Sequence, residues 1–300
     1  MKVILACLLV AAAFASHPVS QRLTEEINQS GSTWTAMKPE ENPFAYMTSE
    51  EIKSMMGTKL MSMPEIKPRF AAYQKEADLP ENFDATTDPK TAHCVHAIRD
   101  QASCGSCWAF GATEALSDRF CLAGVDVILS PEEMVECDKK NMACNGGWLN
   151  VAWSFLESHG VCSDACQPYV SGSGNVPACH DTTCDNGEEM KHYKCKSGSI
   201  VHPTKTDDIK REIYHNGPME IAFTVYADFM SYKSGVYQHT TGGVMGGHAV
   251  KVTGWGVQDG VEYWQCANSW GDKWGEQGSF KIKIGDCGIN NQLYACTPDV

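Results

Sequence analysis

Gln101-Ala102-Ser103-Cys104-Gly105-Ser106-Cys107-Trp108-Ala109-Phe110 is the stretch on which the fold turns. From Ser106 onward Ala109, Ala112, Leu116 and Phe120 recur at helical spacing, which predicts a buried helix with Cys107 in its first turn. A helix N-terminus carries partial positive charge and favours a thiolate over a thiol. An unperturbed cysteine, with a pKa of about 8.5, is mostly protonated at neutral or acidic pH and needs a partner to hold its proton. Two segments far downstream offer candidates: Met245-Gly246-Gly247-His248-Ala249 and Asn268-Ser269-Trp270-Gly271.

His248 fits the proton acceptor. Asn268 fits a group that accepts the imidazole N–H and fixes the ring without adding charge. Trp270 would shield that hydrogen bond from water. Gln101, six residues before Cys107, can aim its amide at the oxygen of an attacked carbonyl, with the Cys107 N–H as second donor of an oxyanion hole. Taken singly, His248 reads as a strand histidine, Asn268 as a turn residue, and Trp270 and Trp274 as core aromatics. Their co-occurrence with the cysteine motif carries the catalytic assignment.

The rest of the chain constrains where such chemistry would operate. At 300 residues it suggests about two domains. Met1-Lys2, an apolar run from Val3 to Phe14, and Ala13-Phe14-Ala15 predict a signal peptide over 1–15 and entry into the secretory pathway. That run is too short to span a bilayer. Of 15 cysteines, Cys7 leaves with the signal peptide; if Cys107 stays free, at least one of the remaining thirteen lacks an intrachain partner. A net charge of −13, without a basic patch, opposes binding to nucleic acid or an anionic membrane.

Residues 16–78 are polar, lack cysteine and carry weak helical stretches such as Ser49 to Leu60, as a detachable pro-segment would. A sequon, Asn28-Gln29-Ser30, lies within them. A cysteine- and aromatic-rich region opens at Leu79. Helices are predicted over Leu149 to His159 and Asp207 to Asn216, strands over Met219 to Tyr226, Ala249 to Trp255, Tyr263 to Ala267 and Ser279 to Ile284, and a disulfide-braced loop over Cys162 to Lys196. The mature region 79–300 thus divides into a helical part, about 92–205, and a β-rich part, about 206–300, with Cys107 and His248 facing across the cleft between them.

Beyond the catalytic residues, Ile98-Arg99-Asp100-Gln101, Cys144-Asn145-Gly146-Gly147 and Tyr232-Lys233-Ser234-Gly235-Val236-Tyr237 complete a set that resembles the papain family of cysteine proteases, and within it the cathepsin B group, over nearly everything from Leu79 onward. The resemblance implies an α+β fold of two lobes, the second β-barrel-like, and a cysteine endopeptidase made as a zymogen. Cys107 is then the nucleophile, His248 the base and acid, Asn268 the orienter and Gln101 the oxyanion donor. Substrate would pair with Gly147 beside Gly146. The pro-segment, recognisable by Trp34 and Gly57-Thr58, would inhibit by covering the cleft. Protein and peptide substrates and cystatin-type inhibitors are the implied partners, the enzyme a monomer in a lysosome-like or vacuolar compartment or secreted, with no cofactor or metal. The implied disulfides are Cys94 with Cys121 and Cys104 with Cys144; the other pairings stay open.

Two departures matter. Cathepsin B removes dipeptides with an occluding loop bearing adjacent histidines, whereas this chain has a shorter loop reading Pro177-Ala178-Cys179-His180-Asp181, which predicts little exopeptidase activity. The acidic residue of the pocket for the second side chain before the scissile bond is replaced by Gln292, which predicts weaker acceptance of Arg in a pocket lined by Trp148, Leu149 and Ala249. Two other functions compete: an idle binding protein on the same scaffold, which should have lost a catalytic position, and a thiol-disulfide oxidoreductase, which needs both Cys104 and Cys107.

Overall fold

A computed structural model describes residues 17–60 and 79–300. The predicted signal peptide and the pro-segment boundary at Asp78 lie outside the described residues. The N-terminal segment contains α1 (Gln21–Gln29), β1 (Trp34–Ala36) and α2 (Ser49–Ser54), the last started by a reciprocal capping box between Thr48 and Glu51. Then follow β2 (Phe83–Asp84), α3 (Cys107–Leu122), α4 (Pro131–Cys137) and α5 (Leu149–Ser158). The second half holds α6 (Thr206–Asn216), β3 (Met219–Tyr226), β4 (Tyr232–Tyr237), β5 (Val244–Gln258), β6 (Val261–Ala267), β7 (Ser279–Lys283) and β8 (Gln292–Tyr294).

The α+β organisation with a helical and a β-rich half is present, but the expected barrel-like second half is an open sheet ordered β1-β4-β7-β6-β5-β3-β8, with β2 on β5. It does not close because the chain leaving β8 turns to the helical half, where Ala295 and Pro298 bridge Val201 and Cys195. β1 occupies the opposite edge, antiparallel to β4. Its Trp34 is buried against Tyr232 and Tyr237 and donates through Nε1 to the Gln238 carbonyl at 2.9 Å. Asn28 of the sequon holds β1 with both ends of its amide: Oδ1 accepts from the Ala36 N–H and Nδ2 donates to the Ala36 carbonyl.

α3 packs against β3 and β5. The helix is buried, as its spacing predicts, and the burial extends to every residue from Cys107 to Phe120, charged ones included. The cause is its position between the halves, where two of its charged residues find partners: Asp118 meets Lys251 of β5 at 2.6 Å and Arg119 meets Glu212 of α6 at 2.8 Å. α4, missed from sequence, is started by Pro131 and by Ser130, whose Oγ accepts from the Glu133 N–H. Its glutamates support the 162–192 loop: Glu132 accepts from the Val170 and Ser171 N–H groups, Glu133 from that of Cys162, and Glu136 from the Gln167 amide.

Disulfides join Cys94 to Cys121, Cys104 to Cys144, Cys137 to Cys179, Cys166 to Cys184 and Cys195 to Cys296. Cys107, Cys162, Cys266 and Cys287 are free.

Candidate active site

Cys107 opens α3, and His248 enters from β5, where it pairs in register with Phe223 of β3. Asn268 follows the end of β6 and accepts through Oδ1 from His248 Nε2 at 2.7 Å. The Trp270 ring stacks on the imidazole, centroids 4.6 Å apart. With Nε2 engaged, His248 Nδ1 is left buried and without a hydrogen bond. The N–H of the next residue, Ala249, faces the Cys107 sulfur. An imidazole nitrogen free of other partners, on the residue next to one that contacts the sulfur, is what proton exchange with the thiol requires.

Gln101 is fully buried and held from two sides: its N–H donates to the Ser269 carbonyl and its Oε1 accepts from Ser269 Oγ at 2.7 Å. This aims Nε2 at the Met55 carbonyl, 2.9 Å away, and at that of Cys104, 2.8 Å away. Ser269 is therefore a positioning residue that no spacing rule identified, although it sits inside the Asn-Ser-Trp-Gly motif. Glu114 and Glu220 were also missed: both are buried acids close to the site. Burial pushes Glu114 up to about 7, and it pushes Glu220 well above the usual carboxylate range against the hydrogen bond from Trp153 Nε1.

The N-terminal segment runs through the cleft. Gly147 N–H donates to the Gly57 carbonyl and accepts, through its own carbonyl, from Lys59 N–H, while Thr58 N–H donates to the Gly247 carbonyl. Thr58 Oγ1 lies 3.1 Å from Cys107 Sγ. Only glycines allow this approach: a Cβ on Gly57 would meet the Gly105 carbonyl oxygen at 1.8 Å, and one on Gly146 would meet that of Gly57 at 2.1 Å. Under this cover burial pushes the Cys107 thiol up, only partly offset by the Thr58 hydroxyl and neighbouring N–H groups, and it pushes His248 down to about 4. Under the cover both shifts favour the uncharged forms, thiol and imidazole, near neutral pH.

The remaining candidates fall around this centre. Trp148 precedes α5 and donates its N–H to Asn141 Oδ1, and Leu149 begins α5, buried. Ala249 of β5 and Gln292 of β8 both pair with Ala222 of β3, which puts the three on one face of the sheet, and α5 packs against β8. His180 has both ring nitrogens against acids: Nδ1 is 3.2 Å from Glu136 and Nε2 3.1 Å from Asp185. Cys104 is joined to Cys144.

Comparison with known proteins agrees with this geometry. The model of the papain family cysteine proteases matches residues 79–297. Cathepsin B-like CP3 of Giardia intestinalis is 39% identical over 296 residues, covering 95% of this chain and 96% of that protein. Cathepsin B-like cysteine proteinase 4 of Caenorhabditis elegans is 36% identical, covering 93% and 92%. The solved proCathepsin B S9 from Trypanosoma congolense superposes with a TM-score of 0.86 at 32% identity, covering 95% of this chain and all of that one. With its N-terminal segment in the cleft as in a proform, the chain belongs to the papain family of cysteine proteases, in the cathepsin B-like group.

Proposed function

We propose that this cathepsin B-like protease is an endopeptidase, secreted as a zymogen into a lysosome-like compartment or the extracellular space and acting as a monomer open to cystatin-type inhibitors. Once the pro-segment leaves, His248 Nδ1 takes the Cys107 proton and the thiolate attacks the peptide carbonyl carbon. Gln101 Nε2 and the Cys107 N–H hold the oxyanion, and the imidazolium passes its proton to the departing amine. Water, deprotonated by the same imidazole, then hydrolyses the thioester. The observation that carries this assignment is the His248 ring, bound to Asn268 through one nitrogen and unpartnered at the other.

The pro-segment fits a cleft blocker on chemical grounds. Its Met55 carbonyl takes the Gln101 donor, and its Thr58 hydroxyl takes the thiol. From Met55 to Lys59 it runs from Gln101 toward Gly147. A substrate whose acyl side pairs with Gly147 and whose scissile carbonyl meets Gln101 runs the opposite way, so no pro-segment peptide bond is presented for attack.

Endopeptidase specificity is supported by His180, whose two nitrogens are engaged by Glu136 and Asp185 and not offered to a substrate carboxylate. Gln292, in register with Ala222 and Ala249, supports an uncharged pocket that disfavours Arg. The idle-scaffold alternative lacks a missing catalytic residue, and the oxidoreductase alternative lacks a second thiol, since Cys104 is paired with Cys144.

Cleavage-site profiling of the processed enzyme on a peptide library tests these assignments together. Internal cleavage after apolar or polar second residues is expected, abolished by Cys107→Ala. Dominant release of C-terminal dipeptides would overturn the account of the loop, and cleavage surviving in Cys107→Ala would overturn the mechanism.

A further inference from the structure

Away from the cleft, two histidines and a buried glutamate converge where α4, the end of α5 and the chain following the shortened loop meet. Glu133 Oε1 is 2.7 Å from His192 Nε2 and 3.4 Å from His159 Nε2, and the three atoms all lie within 4.8 Å of one another. The imidazole rings sit 4.8 Å apart. The glutamate is fixed from behind, because Oε2 accepts from the Cys162 N–H at 2.5 Å, which turns Oε1 toward the rings. Asp181, the acid that follows His180 in the loop, brings Oδ2 to 3.9 Å from His159 Nε2. His159 Nε2 is itself buried and makes no hydrogen bond.

We propose that Glu133, His159 and His192 form a zinc site that braces the loop against α4 and α5. Tetrahedral ligands about 2.0–2.1 Å from zinc lie about 3.3–3.4 Å from each other, a spacing that Glu133 and His159 already have and that His192 reaches by a small ring movement. Two imidazoles and one carboxylate form a zinc donor set, whereas calcium and magnesium take oxygen ligands. The Cys162 N–H supplies the outer hydrogen bond that orients the carboxylate. Partial exposure of His159 and His192, with side chains 34% and 19% accessible, gives the ion a way in. Among the described residues the other group with metal-ligand spacing, His93 with Cys94 and Cys121, is disqualified because its two cysteines are joined to each other.

The test uses the full chain carrying Cys107→Ala, which removes the catalytic thiol as a competing ligand. After chelator treatment it is titrated with Zn²⁺ by calorimetry and with Co²⁺ by absorption. Saturable binding of one ion per chain is expected, with the visible d–d band of four-coordinate cobalt and no thiolate charge-transfer band in the near ultraviolet. His159→Ala and His192→Ala should each weaken binding by at least about 10–100-fold, and zinc should raise the unfolding midpoint of the parent but not of these variants. His180→Ala, outside the cluster, should bind zinc like the parent. Absence of saturable binding, binding unchanged in both histidine variants, or a cobalt spectrum with thiolate charge transfer would each overturn the proposal. Far-ultraviolet circular dichroism of the two variants separates loss of ligand from loss of fold.

Discussion

The two halves of the molecule hold the candidate catalytic groups by different physics. In the helical half, Cys107 and Gln101 sit at the head of one buried helix, surrounded by loops that lack a sheet to order them. Four disulfides and the glutamates of α4 do that work. In the β-rich half, His248 and Asn268 are set by strand register, and beneath them Phe229 packs its ring against Tyr237, Trp270, Trp274 and Phe280. Among the described residues one disulfide, Cys195–Cys296, reaches into this half, and it ties the two together. Covalent links substitute for core where backbone hydrogen bonds do not form a continuous ladder.

That contrast can be broken by experiment. Phe229→Ala should cost about 3–5 kcal/mol in denaturant unfolding, the expected loss for a fully buried ring; a loss below about 1 kcal/mol would mean that the aromatic cluster is not what holds the β-rich half. Gln101→Ala should lower kcat by about 10²–10³-fold, equivalent to about 2.7–4 kcal/mol, through loss of an oxyanion donor. In the uncut chain the same change should speed alkylation of Cys107, because Met55 loses its anchor. Replacing Cys137 and Cys179 together by serine should cost about 2–4 kcal/mol, and leave the kcat of the processed enzyme within a few-fold.

The smallest effect tests the seam. Glu114 keeps its proton up to about pH 7 in the folded protein, whereas the unfolded chain loses it near 4.5. The unfolded state therefore releases a proton first, and the stability this group contributes, complete below about pH 4.5, falls as pH rises through 7. Glu114→Gln should be nearly neutral at pH 4.5 and stabilising by about 1–3 kcal/mol at pH 7.5; a difference that does not change with pH would show that burial does not hold Glu114 protonated.

Elements with strong periodicity were legible in the sequence: α5, α6 and β3 lie within a residue of their expected bounds, and α3 begins at Cys107 where its helical spacing starts. α4 was not, because a seven-residue helix carrying three buried glutamates has no apolar stripe to read. β1 and β8, three residues each, are strands only because a partner strand lies beside them. Ser269 stayed hidden for a related reason: its role depends on Gln101, 168 residues earlier, lying within 2.7 Å of its hydroxyl.

The sequence by itself determined the components of the proposed chemistry, since a thiol at a helix start, an imidazole and an amide are what that reaction needs whatever the fold around them. It also determined the division into helical and β-rich parts, because hydrophobic period is a local property. Tertiary structure alone decided that the sheet stays open, that the pro-segment takes up the Gln101 donor and the Cys107 thiol together, and that His159 and His192 meet at Glu133. Each of those is a meeting of groups far apart in the chain, and distance in space is not written in any local pattern.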